Sequence, residues 1–245
     1  MNAQYDAIAE HYRRSKSSPL RTYVEAYTFL NLIGDVGGKR ILDLACGEGF
    51  YSRRLKKLGA ARVVGVDVSA EMIRLAEERE REDPLGVEYT CADARDLGDL
   101  GQFDIVVAAY LLHYAPNETD LERMCRNIAR HLPAAGRFVT LNENPGQPVE
   151  RYAGYEQYGF NKTADMPHED GSRITYRMVA GRELFSFYAH YFLRETYQQA
   201  LTRAGFGKVE WRALELDPVG TEERGADYWR EYMGNPPIVA LECRV

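Results

Sequence analysis

The sequence predicts a doubly wound α/β fold, and two observations in residues 39–142 support that prediction. Short apolar segments alternate with segments of helical pattern, as in a sheet whose strands are joined by crossover helices. Several apolar segments are continuous rather than alternating, which indicates strands buried on both faces of a parallel sheet. We assign residues 1–245 to one domain, because this length fits a single domain with covering segments.

Strands and helices are predicted in a regular order through this core. The strands are expected at 39–45, 62–68, 87–91, 103–109 and 136–142, and the helices at 49–58, 69–82 and 118–132. Ser69 and Asn117 are good N-caps for the second and third helices, because their side-chain oxygens can accept hydrogen bonds from first-turn N–H groups. Gly59 and Pro84 mark the ends of the first two helices.

Segments on both sides of the core are expected to cover its site. Residues 1–35 are predicted to form a helical lid, with helices at 3–15 and 22–33. Residues 143–190 are rich in aromatic rings and follow the fifth strand, at the carboxyl edge where such folds bind ligands. Their second half is predicted to be a β-hairpin. Residues 191–245 should return to the sheet with a helix at 194–204 and strands at 207–216 and 237–245.

Composition and charge exclude several classes of partner. The net charge of −6 makes the protein a poor candidate for binding duplex DNA or an anionic membrane. The longest apolar run, Ile105 to Leu112, is far shorter than the ~20 residues that span a bilayer. No signal peptide is recognised, and four cysteines without a CxxC pair indicate reduced thiols and no metal site. We therefore expect a soluble cytoplasmic protein without nucleic-acid or membrane partners.

The most informative segment is LDLACGEGF at residues 42–50. It leaves a predicted strand and enters a predicted helix, as a nucleotide-binding loop does, and Gly47 and Gly49 let the backbone approach a ligand. Asp67 ends the second strand, where a carboxylate accepts hydrogen bonds from both hydroxyls of a ribose. Asp93 follows the third strand and is a candidate acceptor for an adenine amino group.

Charge separates the two cofactor classes that fit this pattern. NAD would bring an anionic pyrophosphate to the loop, which needs cationic or helix-dipole help there. The loop instead carries Glu48 with Asp43 beside it, and no Lys or Arg occurs before Arg53. S-adenosylmethionine has no phosphate and carries a sulfonium and an ammonium, so an acidic, ring-lined pocket favours it.

The same residues carry a resemblance to a known family. DLACGEG, VVGVD, CADA and FDIVVAAYLLHY, in this order over residues 39–142, resemble the motifs of class I S-adenosylmethionine-dependent methyltransferases. Within that family, QYDAIAEHY, IGDVGGKRILDLACGEGFYSR and GAARVVGVDVSAEMI are most similar to small-molecule N-methyltransferases, such as the methyltransferase of toxoflavin biosynthesis. The resemblance implies a Rossmann-like, seven-stranded sheet with an antiparallel last strand.

The resemblance also implies positions for the cofactor. Its methionyl part would contact the backbone of the loop and the carbonyl at the end of the fourth strand, its ribose Asp67, and its adenine the turns after the second and third strands. Tyr12 and Arg21 are expected to close over the methionyl carboxylate. The cofactor-binding set is therefore Tyr12, Arg21, Asp43, Ala45, Gly47, Asp67, Val68, Met72, Asp93, Ala94 and Ala109. Ala45 stands where glycine is commonest in the family.

His113 is the candidate catalytic residue, because it follows the fourth strand near the expected position of the methyl group. It can act as a general base, orient the acceptor by a hydrogen bond, or be a structural histidine. Acceptor contacts are expected from Tyr110, Tyr152, Tyr155 and His190, although the rings of the insert can equally form its own core.

These residues predict methyl transfer to a nitrogen of a small polar or heterocyclic metabolite in specialised metabolism. A neutral nitrogen needs no deprotonation before attack, whereas a hydroxyl usually does. Two alternatives stay open: O-methylation with His113 as base, and a non-catalytic S-adenosylmethionine-binding module. The acidic charge and the lack of a basic stripe argue against an RNA methyltransferase. A monomer or homodimer is expected.

Overall fold

A computed structural model describes residues 18–180 and 183–245. Tyr12 and the helix expected at 3–15 lie outside the described residues. The strands are β1 (Arg40–Leu44), β2 (Arg62–Asp67), β3 (Val87–Cys91), β4 (Ile105–Ala109), β5 (Arg137–Glu143), β6 (Phe160–Ala164), β7 (Arg173–Ala180), β8 (Glu183–His190), β9 (Lys208–Arg212) and β10 (Ile238–Arg244).

Seven of these strands form one sheet in the order β3-β2-β1-β4-β5-β10-β9. The pairs from β3 to β5 are parallel, whereas β10 is antiparallel to both β5 and β9. This arrangement confirms the predicted Rossmann-like sheet with an antiparallel last strand. The strand order reverses between β1 and β4, so the crevice at their carboxyl ends is the place where such folds bind ligands.

The helices connect the strands at the positions that the sequence predicts for the core. They are α1 (Tyr27–Ile33), which continues a π-helical turn at Arg21–Ala26, α2 (Phe50–Lys57), α3 (Ala70–Glu82), α4 (Glu118–Arg130), α5 (Arg194–Arg203), α6 (Pro218–Arg224) and α7 (Ala226–Gly234). The two predicted N-caps are confirmed: Ser69 accepts from the N–H of Met72, and Asn117 accepts from the N–H of Asp120. In the described ranges, no helix combines the length and the apolar character that a bilayer crossing requires.

Both faces of the sheet are covered, which explains the continuous apolar strands. Leu42 and Val106 belong to a cluster on one side, together with residues of α4 and α5. Ile41 and Val107 belong to a cluster on the other side, with residues of α1, α2 and α7. Adjacent residues of one strand thus enter different clusters, because successive side chains point to opposite faces.

The insert after β5 forms its own three-stranded antiparallel sheet, in the order β6-β7-β8. The hairpin of β7 and β8 confirms the one predicted from the sequence. The insert also reaches the opposite edge of the site, because Phe185 and Phe187 of β8 pack with Met72 of α3. The residues of the insert therefore stand over the carboxyl edge of the main sheet.

Candidate functional site

The loop after β1 owes its shape to three left-handed residues. Ala45, Gly47 and Gly49 have φ angles of 55°, 57° and 80°. A Cβ on Gly49 would lie 2.1 Å from the hydroxyl oxygen of Tyr89, so glycine is required there. Ala45 adopts a conformation that costs an ordinary residue about 1–2 kcal/mol and glycine almost nothing. The left-handed backbone at this position therefore gives a physical reason for the glycine that is commonest here in the family that the sequence resembles.

Asp67 ties this loop to the second strand. Its Oδ2 accepts from the N–H of Gly47 at 2.8 Å, and its Oδ1 accepts from the N–H of Ser69 at 2.9 Å. One buried carboxylate thus fixes both the cofactor loop and the start of α3. A carboxylate can accept about four hydrogen bonds, so these two do not exclude ribose hydroxyls as further donors.

The two acidic residues that argue against NAD both have partners. Asp43 is buried and accepts from the hydroxyl of Ser52 at 2.5 Å. Glu48 is buried and pairs with Arg79 at 2.5 Å. Arg79 partly compensates the charge of Glu48, so the repulsion of a pyrophosphate depends more on Asp43 than the sequence alone indicates.

Asp93 lies at the expected adenine side but is engaged by Arg95. The Nε of Arg95 donates to Oδ1 at 3.0 Å, its Nη2 donates to Oδ2 at 2.7 Å, and its backbone N–H donates to Oδ1 at 2.8 Å. Burial would raise the pKa of Asp93, but these hydrogen bonds lower it overall. Nearby, Val68 is half-buried, whereas Met72 and Ala94 are buried. The adenine contacts of these residues stay predictions.

His113 lies in the short 3₁₀ turn Leu112–Tyr114, directly after β4, and its side chain is buried. Its Nδ1 is 2.7 Å from the Oδ1 of Asn142, which also accepts the backbone N–H of His113. The N–H of Glu143 approaches the same Nδ1 at 3.2 Å and would require the opposite tautomer. The shorter contact and the second bond to Oδ1 favour a proton on Nδ1, which leaves a lone pair on Nε2.

Burial keeps this histidine neutral. It lowers the pKa of His113 to about 4, against the hydrogen bond to Asn142, and the charges of Lys162 and His190 lower it further. An imidazole with this pKa is unprotonated throughout the physiological range.

A ring-lined pocket adjoins His113. The space between its walls, open solvent included, is about 550 Å³. Arg21 and Glu25 of the π-helical turn line it, 3.9 Å apart, and the guanidinium of Arg21 lies 5.9 Å from the ring centre of Tyr110. The other lining residues are Ser18, Leu20, His113, Tyr114, Tyr158, Phe160, Tyr176, Met178, Phe187, Tyr232, Pro237 and Ile238.

Comparisons with known proteins show what this core is similar to. Residues 41–136 match the family model described as a methyltransferase domain. A ubiquinone biosynthesis O-methyltransferase of Coxiella burnetii is 35% identical over 135 residues, which are 54% of this chain and 56% of that protein. The chain thus spans about half the length of the curated relatives it matches.

Two solved structures share the fold over most of the chain. The S-adenosylmethionine-dependent methyltransferase from Mesorhizobium loti is 23% identical with a TM-score of 0.65, and the match covers 94% of this chain and 100% of that one. The CcbJ methyltransferase from Streptomyces caelestis is 19% identical with a TM-score of 0.65, over 90% and 88%. Residues 41–136 are thus similar to a methyltransferase domain, and the chain shares the fold of these two solved proteins. The narrower resemblance to N-methyltransferases is not confirmed, since the curated relatives are named O-methyltransferases.

The geometry of the core is compatible with S-adenosylmethionine, the cofactor that the resemblance implies. The glycines allow close approach of a ligand to the loop, and Asp67 presents a carboxylate at the crevice. Ala109, the last residue of β4, is half-buried and precedes Tyr110, which has a φ of 72°. Such a left-handed residue is uncommon outside glycine and occurs often at functional sites. The individual cofactor contacts stay predictions.

The structure divides the four expected acceptor-binding residues. Tyr110 lines the pocket, and His190 lies close enough to His113 that burial lowers its pKa while the backbone of His113 opposes this effect. Tyr155 stacks on Phe160 and donates its hydroxyl to the carbonyl of Asn235, so it lies in the packing of the insert. Tyr152 is also buried in the packing of the insert, in one cluster with Ile174 and Ala189. Tyr152 and Tyr155 thus lie in the core of the insert, which was the alternative expected for its rings. The contacts of all four residues with an acceptor stay predictions.

A buried polar cluster near His113 was not predicted. Glu143 ends β5 and accepts from both the ammonium of Lys162 and the hydroxyl of Tyr176. The ammonium also lies 3.9 Å from the ring centre of Tyr152. Lys162 belongs to the polar segment FNKTA, whose composition resembles that of an exposed loop. The sequence carries no signal that would place this lysine in the interior.

Proposed function

We propose that the chain transfers a methyl group from S-adenosylmethionine to a nitrogen of a small polar or heterocyclic metabolite, in specialised metabolism. The state of His113 supports N-methylation over O-methylation. A general base works best when its pKa lies near the working pH, and a pKa of about 4 is far below it. A neutral nitrogen needs no base, and the Nε2 lone pair of His113 can accept a hydrogen bond from its N–H.

The residues of the chain would bind the cofactor, orient the acceptor and exclude water. When bound, S-adenosylmethionine supplies an electrophilic methyl group. Asp67 would hold its ribose, the backbone of the loop its methionyl part, and Arg21 its carboxylate. The rings of the pocket would align the acceptor at about 3 Å from the methyl carbon and keep water out, which is the main source of rate in such a displacement.

O-methylation is the alternative that the comparisons favour, because the curated relatives are named ubiquinone biosynthesis O-methyltransferases. In that case His113 would remove the proton of a hydroxyl as the methyl group is transferred. A non-catalytic S-adenosylmethionine-binding module is the other alternative. The cofactor contacts proposed above are common to all three functions, so only binding and turnover separate them.

Ligand binding tests the cofactor first. In calorimetry, S-adenosylmethionine and S-adenosylhomocysteine should bind and NAD should not, because Asp43 and Glu48 disfavour an anionic pyrophosphate. Binding of NAD as tight as that of S-adenosylhomocysteine would contradict the proposal.

The acceptor atom is tested with labelled S-adenosylmethionine and a panel of matched amines and alcohols. We expect methylation of the amine members. His113→Ala should then cost about tenfold or less, mainly in KM, whereas loss of a general base lowers kcat by about 10²–10⁴. His131 is a matched control, because it is equally buried in the turn after α4 and contacts the carbonyl of Asn127. His131→Ala should leave KM unchanged.

The outcomes separate the three functions. A thousandfold fall in kcat for His113→Ala, with KM unchanged at saturating cofactor, would establish base catalysis and favour O-methylation. Binding of S-adenosylhomocysteine without turnover of any acceptor would favour the regulatory module. A soluble cytoplasmic location, a monomer or homodimer, and the absence of nucleic-acid and membrane partners belong to the same proposal.

A further inference from the structure

The pair formed by Lys162 and Glu143 is completely enclosed. The lysine side chain is 0% exposed and the glutamate side chain 1%. Removing two charges from water costs several kcal/mol per ion, and well-packed apolar residues in place of such a pair are often as stable. Burial lowers the pKa of Lys162, and the attraction of Glu143 opposes this effect. Stability alone therefore does not account for the pair.

The pair joins β5, whose Asn142 binds His113, to the strands of the insert that form a wall of the pocket. Glu143 directly follows Asn142, whose side chain binds His113, and its own N–H lies 3.2 Å from the ring. Through its two carboxylate oxygens, Glu143 then reaches across to β6 and β7, where Lys162 and Tyr176 lie. A single residue thus contacts both the histidine and the insert.

The insert side of this link is a row of residues across three strands. Lys162 is directly opposite Tyr176, and Tyr176 is directly opposite Phe187. Directly opposed residues project on the same face of a sheet. The rings of Tyr176 and Phe187 are stacked, with centres 5.1 Å apart and planes at 7°, and both line the pocket.

From this geometry we propose that Lys162 and Glu143 are positioning residues for the methyl acceptor. Their ion pair holds the ring wall of Tyr176 and Phe187 at a fixed place relative to His113, so that the acceptor atom is kept in line with the methyl group. The inference rests on the proposed methyl transfer. It assigns no contact with the reacting atoms to either residue.

The test removes both charges together, because a single substitution would leave one buried charge unpaired. The double variant Lys162→Met/Glu143→Gln keeps an oxygen that can accept the hydroxyl of Tyr176. The matched control is Arg137→Met/Glu242→Gln, because this second ion pair involves the opposite end of β5, with a 3.1 Å contact. Each variant is assayed for the affinity of S-adenosylhomocysteine, for acceptor KM and kcat, and for the NMR signals of the His113 ring.

In the double variant we expect acceptor KM to rise at least tenfold, with the affinity for S-adenosylhomocysteine within twofold of wild type. The His113 ring signals, assigned by their loss in His113→Ala, should shift or broaden. The control should change neither KM nor these signals. Wild-type KM and unchanged His113 signals in a folded double variant would overturn the proposal.

The NMR measurement keeps this result separate from the proposed function. If wild-type protein binds S-adenosylhomocysteine but methylates no acceptor, the proposed function fails. The His113 signals then test the positioning role by themselves. A change in the double variant that the control lacks shows that the ion pair orders the pocket, and no change shows that it does not.

Discussion

The cofactor side of the site and its cover are held together in different ways. On the cofactor side, Asp67 binds the backbone N–H groups of Gly47 and Ser69, so the site is built from loop backbone and one strand-end carboxylate. In the cover, Glu143 binds side chains of two other strands, Lys162 and Tyr176. Both links span a similar length of chain, 20 residues for Gly47 and Asp67 and 19 for Glu143 and Lys162. They differ because the first uses backbone N–H groups, which almost every residue carries, whereas the second needs particular side chains.

The largest effect is expected at the backbone-built side. Asp67→Ala removes two proposed charge-assisted bonds to the ribose, each worth roughly 1.5–3 kcal/mol. It also frees the N–H groups of Gly47 and Ser69. Calorimetry should show at least a tenfold loss of affinity for S-adenosylhomocysteine, whereas the exposed Asp99→Ala should show none. Unchanged affinity in Asp67→Ala would mean that the ribose binds elsewhere.

In the cover, a substitution should instead change the free energy of unfolding. Lys162→Met leaves Glu143 buried without its cation, which should lower the free energy of unfolding by about 3–5 kcal/mol in denaturant titrations. The double variant Lys162→Met/Glu143→Gln should recover most of that loss. Lys57→Met breaks an exposed pair with Asp83 and should cost about 0–1 kcal/mol. Equal losses in Lys162→Met and Lys57→Met would show that the burial of the Lys162–Glu143 pair does not affect stability.

A smaller effect is expected from pH, at the junction of the two regions. The pKa of His113 is about 4 in the folded chain and about 6.5 when unfolded, so the unfolded state binds the proton more tightly. Stability is therefore fully present above about pH 6.5 and is lost as pH falls towards 4, by about 2 kcal/mol between pH 7 and pH 5. His113→Gln does not titrate, so its free energy of unfolding should change less over that interval. An equal pH dependence in both proteins would contradict the buried, neutral histidine.

The smallest effect is expected at Ala45. Glycine relieves the left-handed strain at this position but is more flexible in the unfolded chain. The two terms oppose each other, so Ala45→Gly should change the free energy of unfolding by less than about 1 kcal/mol. Cofactor affinity should stay within threefold. A tenfold change would show that the Cβ of Ala45 itself contacts the ligand.

The same contrast explains what the sequence could predict. The strands and helices of the core follow from apolar runs, caps and glycines that act within a few residues of one another, as Ser69 and Asn117 do. The strand β6 was missed because its buried Lys162 is stabilised by side chains of other elements, Glu143 and Tyr152, which no pattern within FNKTA reveals. Helices α6 and α7 were missed as well. Their register is set by distant packing, such as Trp229 of α7 against Tyr23 of the π-helical turn.

In the site, the positions of Asp67 and His113 were predicted, but the partners of His113 were not. Asn142 lies 29 residues further along the chain and meets His113 only because β4 and β5 are neighbours in the sheet. Likewise, the engagement of Asp93 by Arg95 depends on side-chain geometry that spacing does not reveal. The motifs therefore predicted where these residues lie relative to the strands but not which side chains they contact, and their contacts with cofactor and acceptor stay predictions.

The place of β10 in the sheet has a consequence for the protein during its synthesis. The strand lies between β5 and β9, yet it is translated after both, and Pro237 and Ile238 at its start line the pocket beside His113. A nascent chain that has emerged only as far as β9 already contains the whole cofactor loop, but the outer edge of β5 is unpaired. An open strand edge of this kind invites association with other chains. Until β10 emerges from the ribosome, that edge stays open and the pocket lacks the part of its wall that Pro237 and Ile238 form.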